Sequence, residues 1–188
     1  PEQRRQLILS RAKGAYELYR REGGVPTPPV MTKLLAVHAE GGDREGAAAV
    51  TQSMLQGGIP LSPITCEHLV RMYVKLKDVT AAEEVLQSLR GGGLTPTPET
   101  FGILVRAHTH RNNTAAALAL VDEAHKGGVQ LSERNLKYLR AQCNNQGISH
   151  PAIPSDPEEW VKQVQDVRKK TRAAPRRKVQ ELEGKIWT

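Results

Sequence analysis

The densest positive charge in this sequence lies near its C-terminus, where basic side chains are suited to contact nucleic-acid phosphates. Residues 168–178 contain seven basic residues and no acidic one. The seven are Arg168, Lys169, Lys170, Arg172, Arg176, Arg177 and Lys178. Lysine and arginine neutralise phosphates and give salt-sensitive affinity that carries no sequence information. We interpret this basic arm as a phosphate-binding segment. The alternatives are a solvated disordered tail and, less readily because apolar neighbours are scarce, a membrane-surface segment.

The chain as a whole is also basic. It has 188 residues and a formal net charge of +7. This balance favours an anionic partner, with nucleic acid as the leading candidate and a generically soluble basic protein as the alternative. Aromatic residues make up only 4%, which argues against a stacking platform for single strands. No stretch approaches the roughly 18 apolar residues of a spanning helix and no signal peptide opens the sequence, so we expect no membrane partner.

Four segments of the sequence superimpose at a spacing of 35 residues without insertion or deletion. Glycine and leucine each recur in fixed columns of this repeat. The columns are Gly23, Gly58, Gly93 and Gly128, and Leu34, Leu69, Leu104 and Leu139. A period of about 20 to 50 residues indicates a solenoid, a propeller or another repeat array. One small unit is therefore repeated, and function must be read from its surface.

Apolar spacing within the unit predicts two helices. In the second unit one apolar stripe precedes Asp78 and another follows it, and both fit a period of 3.6 residues. Ser62 and Thr97 each place a capping hydroxyl before a proline at the first helical position. Glycines then end the second helix, as a left-handed C-cap requires. The sequence therefore predicts an all-α fold, an α-solenoid of 35-residue helix-turn-helix repeats with a C-terminal helical basic extension.

Side chains that commonly support catalysis or metal binding form no recognisable pattern. Cys66 and Cys143 have no neighbouring cysteine at CxxC spacing, so a disulfide framework or a zinc ribbon is not supported. His38 and His108 occupy one repeat column together with Tyr73, which favours packing over ligation. No Ser/His/Asp, Walker-type or metallonuclease pattern is present. We therefore expect a non-enzymatic protein without cofactor, metal or small-molecule substrate.

These columns resemble the pentatricopeptide repeat family, and the best match is Gly93 to Phe101 in the third unit. The family's unit is a 35-residue pair of helices with an aromatic residue and a leucine in the first helix and a glycine before proline-rich turn residues. The register predicts units at 28–62, 63–97, 98–132 and, incomplete, 133–148. Residues 1–27 are expected to be a partial repeat that supplies a second helix only.

The resemblance implies recognition of about one RNA base per repeat by two or three side chains on the first-helix face. The positions concerned are the fifth residue of each unit and its last. They pair Thr32 with Ser62, Glu67 with Thr97, and Gly102 with Ser132, while Lys137 has no clear closing partner. Only the first pair resembles a base reader, because Glu67 tends to repel phosphate and Gly102 has no side chain. Sequence-specific reading by this segment alone is therefore not expected.

Contacts to the RNA backbone remain available from basic residues on the same faces. These residues are Arg71 and Lys75 in the second unit, Arg106 and His110 in the third, and Arg134 and Lys137 in the fourth. We expect them to follow phosphates. The alternative is that they are ordinary solvated residues of exposed helices.

The repeat pattern ends after Gly147, and the composition changes. We expect a stiff linker at residues 149–156 and a helical, basic extension at residues 157–188. Trp160, Val164 and Val167 share one face of the expected helix, which is suited to packing on the last repeat or on a partner.

Three functions fit these features. The first is a non-catalytic, RNA-associated component of an organellar ribonucleoprotein such as a ribosome, which binds rRNA mainly through phosphates and contacts other proteins of the assembly. The second is a protein-interaction scaffold whose concave face holds a helix or an extended peptide. The third is a transcript-specific maturation or translation factor with further repeats upstream. The family resemblance implies an organelle, with the mitochondrion preferred to the chloroplast.

Overall fold

A computed structural model describes residues 2–153 of the chain. Within this part of the chain the named elements are all helices, and the only bridge joins His150 and Ile153. In chain order the helices are α1 (Glu2–Arg21), α2 (Pro28–Gly41), α3 (Arg44–Gln56), α4 (Pro63–Lys75), α5 (Val79–Gly91), α6 (Pro98–His110), α7 (Thr114–Lys126) and α8 (Glu133–Gln146). The prediction of an all-α, helix-turn-helix repeat fold is confirmed for these residues.

Side-chain caps begin both helices of the repeat. Ser62 Oγ accepts a hydrogen bond from the Thr65 amide at 3.2 Å, and Thr97 Oγ1 accepts one from the Thr100 amide at 3.0 Å. The second helices begin in the same way, because residues 43, 78 and 113 each accept from an amide three positions later. These bonds satisfy amides that have no partner within the helix, so each turn of the repeat is fixed locally.

The recurrent glycine column ends the second helices. Gly23, Gly58, Gly93 and Gly128 have φ values of 85°, 68°, 71° and 70°. At the end of α5, the amide of Gly93 donates to the carbonyl of Arg90, and the amide of Leu94 donates to the carbonyl of Leu89. A residue with a Cβ is disfavoured in this left-handed conformation, which explains why glycine recurs at this place in every unit.

The structure consists of two compact units, and the first covers residues 1–139. In it α2 packs on both α3 and α4, and α4 packs on both α5 and α6. The first helices of successive repeats therefore lie side by side. The predicted leucine column is buried in all four units. The alanine column at residues 47, 82 and 117 has no exposed surface, which permits the close helix packing expected of small residues.

Helix α1 departs from the repeat at its beginning. Helix α3 begins at Arg44, whose counterpart 35 residues earlier is Leu9, whereas α1 is already helical from Glu2. Leu7 and Ile8 in this added part are about half exposed, whereas Leu9 is buried. Where the other units have a capped turn between their two helices, α1 is a continuous helix.

The second unit begins at Arg140 within α8. Its described residues complete α8, and Gly147 ends the helix with a φ of 66°. The amide of Ile148 donates to the carbonyl of Cys143 at 2.9 Å, and the amide of Ile153 donates to the carbonyl of His150 at 3.0 Å. The part of the predicted linker that the structure describes is therefore a hydrogen-bonded turn.

Candidate nucleic-acid interface

The first predicted reader pair meets through a third hydroxyl. Thr32 Oγ1 and Ser62 Oγ lie 3.3 Å and 2.9 Å from Thr65 Oγ1, respectively. Thr65 is fully buried, because α2 packs on α4 at this point. The two reader hydroxyls are therefore held on one buried anchor and remain partly accessible.

The second pair is joined directly. Thr97 Oγ1 donates a hydrogen bond of 2.7 Å to Glu67 Oε2, and the other carboxylate oxygen accepts one of 2.8 Å from Arg71. Both oxygens of Glu67 therefore already have donors. The hydroxyl of Thr97 is committed to Glu67 and to the Thr100 hydroxyl, which lies 2.9 Å away. A base at this position would have to displace these intramolecular bonds.

The third pair is not brought together. The side chain of Asn135 fills the space beside Gly102, where a Cβ would overlap it. Asn135 is buried, and its carbonyl oxygen accepts a hydrogen bond from Arg106. Ser132 is exposed, and its backbone carbonyl accepts the amide of Asn135 at 2.9 Å. Gly102 thus accommodates an element of the following repeat.

Two arginines that were predicted to contact phosphates lie in a line of alternating charges, which we call the charge ladder. It runs from Glu67 through Arg71, Glu99 and Arg106 to Asn135. Glu99 lies 3.8 Å from Arg71 and 3.3 Å from Arg106, while Arg71 lies 2.8 Å from Glu67. The ladder contains two carboxylates and two guanidinium groups, so it has no net charge. Phosphate therefore competes with internal carboxylates for both arginines.

The other predicted phosphate contacts lie in the open. Lys75, His110, Arg134 and Lys137 are all exposed, at the end of α4, the end of α6 and the beginning of α8. The ring of His110 lies 5.8 Å from that of Tyr138, which is itself more than half exposed. These four positions supply positive charge, or a protonatable ring, on the first helices of three successive repeats. The basic arm at 168–178 lies outside the described residues.

The sequence reasoning missed the third position of each unit. Thr65, Thr100 and Asn135 recur every 35 residues and are buried polar residues next to the predicted reader pairs. Their period was a detectable signal. Glu99 was missed as well, and only the fold shows that it lies between Arg71 and Arg106.

The two histidines of one column are buried and face acids. His38 Nδ1 lies 3.0 Å from Asp43, and His108 Nε2 lies 2.9 Å from Glu83. Lys13 also contacts Asp43, at 2.8 Å. The Lys13 interaction, helped by the Gly46 amide and by His38 against the cost of burial, lowers the pKa of Asp43 to about 2. This cluster anchors α1 to the turn between α2 and α3.

Burial raises the pKa of the Cys66 and Cys143 thiols, so both are held in the protonated form. Among the residues that the structure describes, no group of three or more histidine, cysteine or acidic side chains is placed to hold a metal ion. None of the helices described is both long enough and apolar enough to cross a membrane.

Repeated helix pairs with polar side chains gathered between successive first helices define an α-solenoid repeat protein. Residues 49–111 match the family model described as the pentatricopeptide repeat domain. The same 35-residue register continues on both sides of this match. The chain is a pentatricopeptide repeat protein. No curated protein matches it in sequence.

Solved structures share this fold at low sequence identity. The pentatricopeptide repeat protein PPR10 from maize matches with a TM-score of 0.57 and 17% identity, over 87% of this chain and 27% of that one. The same protein in complex with an 18-nucleotide psaJ RNA element matches with a TM-score of 0.61 and 18% identity, over 74% and 20% of the two chains. This chain therefore spans about a quarter of the length of PPR10.

A third match is the pentatricopeptide repeat domain of protein-only RNase P 1 from Arabidopsis thaliana, solved in complex with tRNA. Its TM-score is 0.64 at 15% identity, and the match covers 100% of this chain and 93% of that domain. At these identities the likeness establishes the fold of the repeat region.

Proposed function

We propose that this chain binds RNA mainly through the phosphate backbone and acts as a non-catalytic component of an organellar ribonucleoprotein, most concretely a ribosome. The observation that carries the proposal is the exposed series Lys75, Arg134 and Lys137, with His110 between them, on the first helices of three repeats. Lysine and arginine in such a series provide affinity with little base information. That PPR10 and protein-only RNase P 1 were solved with RNA supports the choice of RNA as the anion.

The reader positions support backbone contact rather than base reading. Thr97 and Glu67 are bonded to each other, and Gly102 makes room for Asn135. Only Thr32 and Ser62 present hydroxyls suited to a base edge. One good base contact gives roughly 1–3 kcal/mol of discrimination, which is too little to select one transcript. Placement in an assembly would therefore come from the other components, rRNA and proteins.

The charge ladder favours one alternative, a protein-interaction scaffold. Because Glu67 and Glu99 neutralise Arg71 and Arg106, the middle of the first-helix face offers as many acceptors as donors. A protein segment with charges of both signs suits such a face better than RNA does. We place RNA first because the exposed cations flank the ladder on both sides and the basic arm adds seven more.

The cellular compartment is part of the same proposal. Membership of the pentatricopeptide repeat family supports an organelle, and we favour the mitochondrion over the chloroplast. Fractionation of cells that express the tagged full-length protein, followed by sedimentation of organellar ribosomes, tests both statements. Comigration with a ribosomal subunit that is lost after RNase treatment is the expected result. A protein found only in the soluble cytosolic fraction contradicts the assignment.

The RNA proposal is tested with two variants and a matched control. Lys75, Arg134 and Lys137 are changed together to Gln in one variant, and the seven basic residues of the arm are changed to Gln in the other. The control changes the exposed Arg4, Arg5 and Lys126 to Gln, which removes the same charge as the first variant. Fluorescence polarisation with unrelated single-stranded RNAs is measured over a range of salt concentrations.

We expect unrelated RNAs to compete almost evenly and the plot of log affinity against log salt to be steep. Each phosphate that the protein no longer neutralises should flatten that slope by about 0.7 with single-stranded RNA. Both test variants should therefore flatten the slope by several such steps, whereas the control should change it little. If the test variants and the control retain equal slopes, the series and the arm do not bind phosphate. The scaffold then becomes the better account. A strong preference for one short RNA would instead support a transcript-specific factor.

A further inference from the structure

The groove between α1 and α2 repeats a surface that elsewhere in the chain is covered by a helix. In the first complete unit α2 lies on α3 and α4, and it buries Ala47, Val50 and Met54 of α3. The counterparts of these residues on α1, 35 positions earlier, are Ala12, Ala15 and Tyr19. Ala12 is only half-buried, and Ala15 and Tyr19 are exposed. The same packing surface is therefore present on α1 without its cover.

Helix α2 supplies the other wall of the groove. Val30 and Val37 are partly exposed there, whereas their counterparts on α4, Thr65 and Met72, are fully buried beneath α2. The groove has a volume of about 270 Å³, and its walls are mostly apolar. Tyr16 and Tyr19 form its most prominent aromatic edge, with ring centroids 6.4 Å apart. An apolar surface whose equivalents are buried by a helix in every other unit is shaped for a helix.

The occupant is not joined to α1 by the tight turn that the other units use. In those units a capped turn at residue 43, 78 or 113 connects the first helix to the second. The corresponding place in α1 is Ile8, which lies inside the continuous helix Glu2–Arg21. Because the chain does not fold back there, a helix in the groove is not the first half of an ordinary repeat.

Charge indicates the chemistry of the partner. Helix α1 carries six basic residues and two acidic ones, and the exposed Lys33 of α2 lines the groove between its two valines. An amphipathic helix with an apolar stripe toward the groove and acidic residues along its flanks is complementary to this site. We propose that the α1–α2 groove is the docking site for such an acidic amphipathic helix of a partner protein. This site does not depend on whether the first-helix face binds RNA.

The chain itself provides a probe for this groove. Helix α2 occupies the equivalent position one repeat later, so a peptide of residues 28–41 carries the apolar stripe that the site should accept. The changes Val30→Glu, Lys33→Glu and Val37→Glu in the peptide make its solvent side acidic. Fluorescence polarisation of the labelled peptide with the full chain should show saturable binding, with a Kd on the order of 10–100 µM for one short helix.

A pair of variants on α1 locates the binding. Ala15→Glu places a charge in the groove, whereas Ser10→Glu places the same charge at an exposed position that does not line it. We expect Ala15→Glu to weaken peptide binding by about tenfold or more, because it buries an unpaired carboxylate against an acidic helix. Ser10→Glu should stay within about twofold of the unchanged chain. NMR shift changes should be confined to α1 and α2.

Tethering gives a readout that does not depend on weak affinity. The peptide is fused ahead of Glu2 through about eight Gly/Ser residues, a length that easily spans the roughly 10 Å of added helix between the turn position and the start of α1. The tethered helix should raise Tm by filling the groove, and Ala15→Glu should abolish that rise. A fusion with no rise in Tm, together with no saturable peptide binding to a folded chain, overturns the proposal.

RNA is the competing occupant of this basic helix. If a 20-nucleotide single-stranded RNA binds the chain and Ala15→Glu weakens that binding more than Ser10→Glu does, while the peptide does not bind, the groove belongs to RNA. Peptide-induced shifts at α6 or α8 as large as those at α1 would indicate non-specific adhesion, and this result also contradicts the assignment.

Discussion

The charge ladder can be opened by a single substitution, Glu99→Gln. Glu99 is the only residue of the ladder that contacts both Arg71 and Arg106, at 3.8 Å and 3.3 Å. Its replacement by the neutral amide removes one negative charge from the face and leaves two guanidinium groups without that competitor. If RNA phosphates follow this face, the variant should bind RNA more tightly than the unchanged chain.

The magnitude follows from the exposure of the groups. The side chains of Arg71 and Glu99 are about 40% exposed, so each of the two pairs is worth at most about 1 kcal/mol. Phosphate binding that displaces Glu99 from both arginines is therefore opposed by no more than about 2 kcal/mol. We expect an increase in RNA affinity of roughly three- to tenfold at low salt, since about 1.4 kcal/mol corresponds to tenfold. The salt slope should steepen by about 0.7 for each arginine that gains a phosphate.

The assay is RNA binding by fluorescence polarisation at several salt concentrations. Glu84→Gln is the matched control, because Glu84 is an exposed acid on the second helix α5 and its change removes the same charge. The control should alter affinity slightly and leave the salt slope unchanged. Equal effects of the two substitutions would refute the local competition and leave only net charge. Weaker binding by Glu99→Gln would show that the ladder holds the arginines in a productive position.

Three further substitutions test packing and electrostatics through unfolding measurements. Leu104→Ala should lower the free energy of unfolding by roughly 2–5 kcal/mol, because Leu104 is fully buried; a cost below about 0.5 kcal/mol contradicts a packed core there. Asp43→Asn should cost about 2 kcal/mol near neutral pH, because the pKa of Asp43 is lowered to about 2. That contribution is complete above about pH 4 and is lost as the pH falls toward 2, so urea curves should converge there, whereas a constant difference argues against it. Gly102→Ala should cost about 1–3 kcal/mol by overlapping Asn135, and the cost should largely disappear in the Asn135→Ala background, as a double-mutant cycle can show.

The repeat architecture was predictable because each of its signals is local and recurs. The glycine column marks a left-handed backbone at the end of each second helix, and Gly93 shows why, with its φ of 71°. Ser62 and Thr97 cap the helices that they precede, through bonds to amides three residues later. Signals of this kind depend on neighbours in the sequence, and repetition reinforces each of them four times.

The state of the candidate site was much less predictable. The sequence identified Arg71 and Arg106 as basic residues on a helix face, but it did not show that Glu99 lies between them. It identified Gly102 as a missing reader, but not that the neighbouring space belongs to Asn135. Both facts depend on contacts between successive repeats, about 30 residues apart in sequence, and on side-chain directions that periodicity does not specify.

The sequence by itself determined that this protein is a stack of helix pairs with its leucines buried and its basic residues at given repeat positions. A period of 35 residues and a helical apolar spacing are properties of the chain alone. The tertiary structure decided which of the basic residues are neutralised by carboxylates, which reader hydroxyls are already bonded, and which apolar surface on α1 is left uncovered. These properties arise from the distances between side chains of neighbouring repeats, which exist only after the helices have packed.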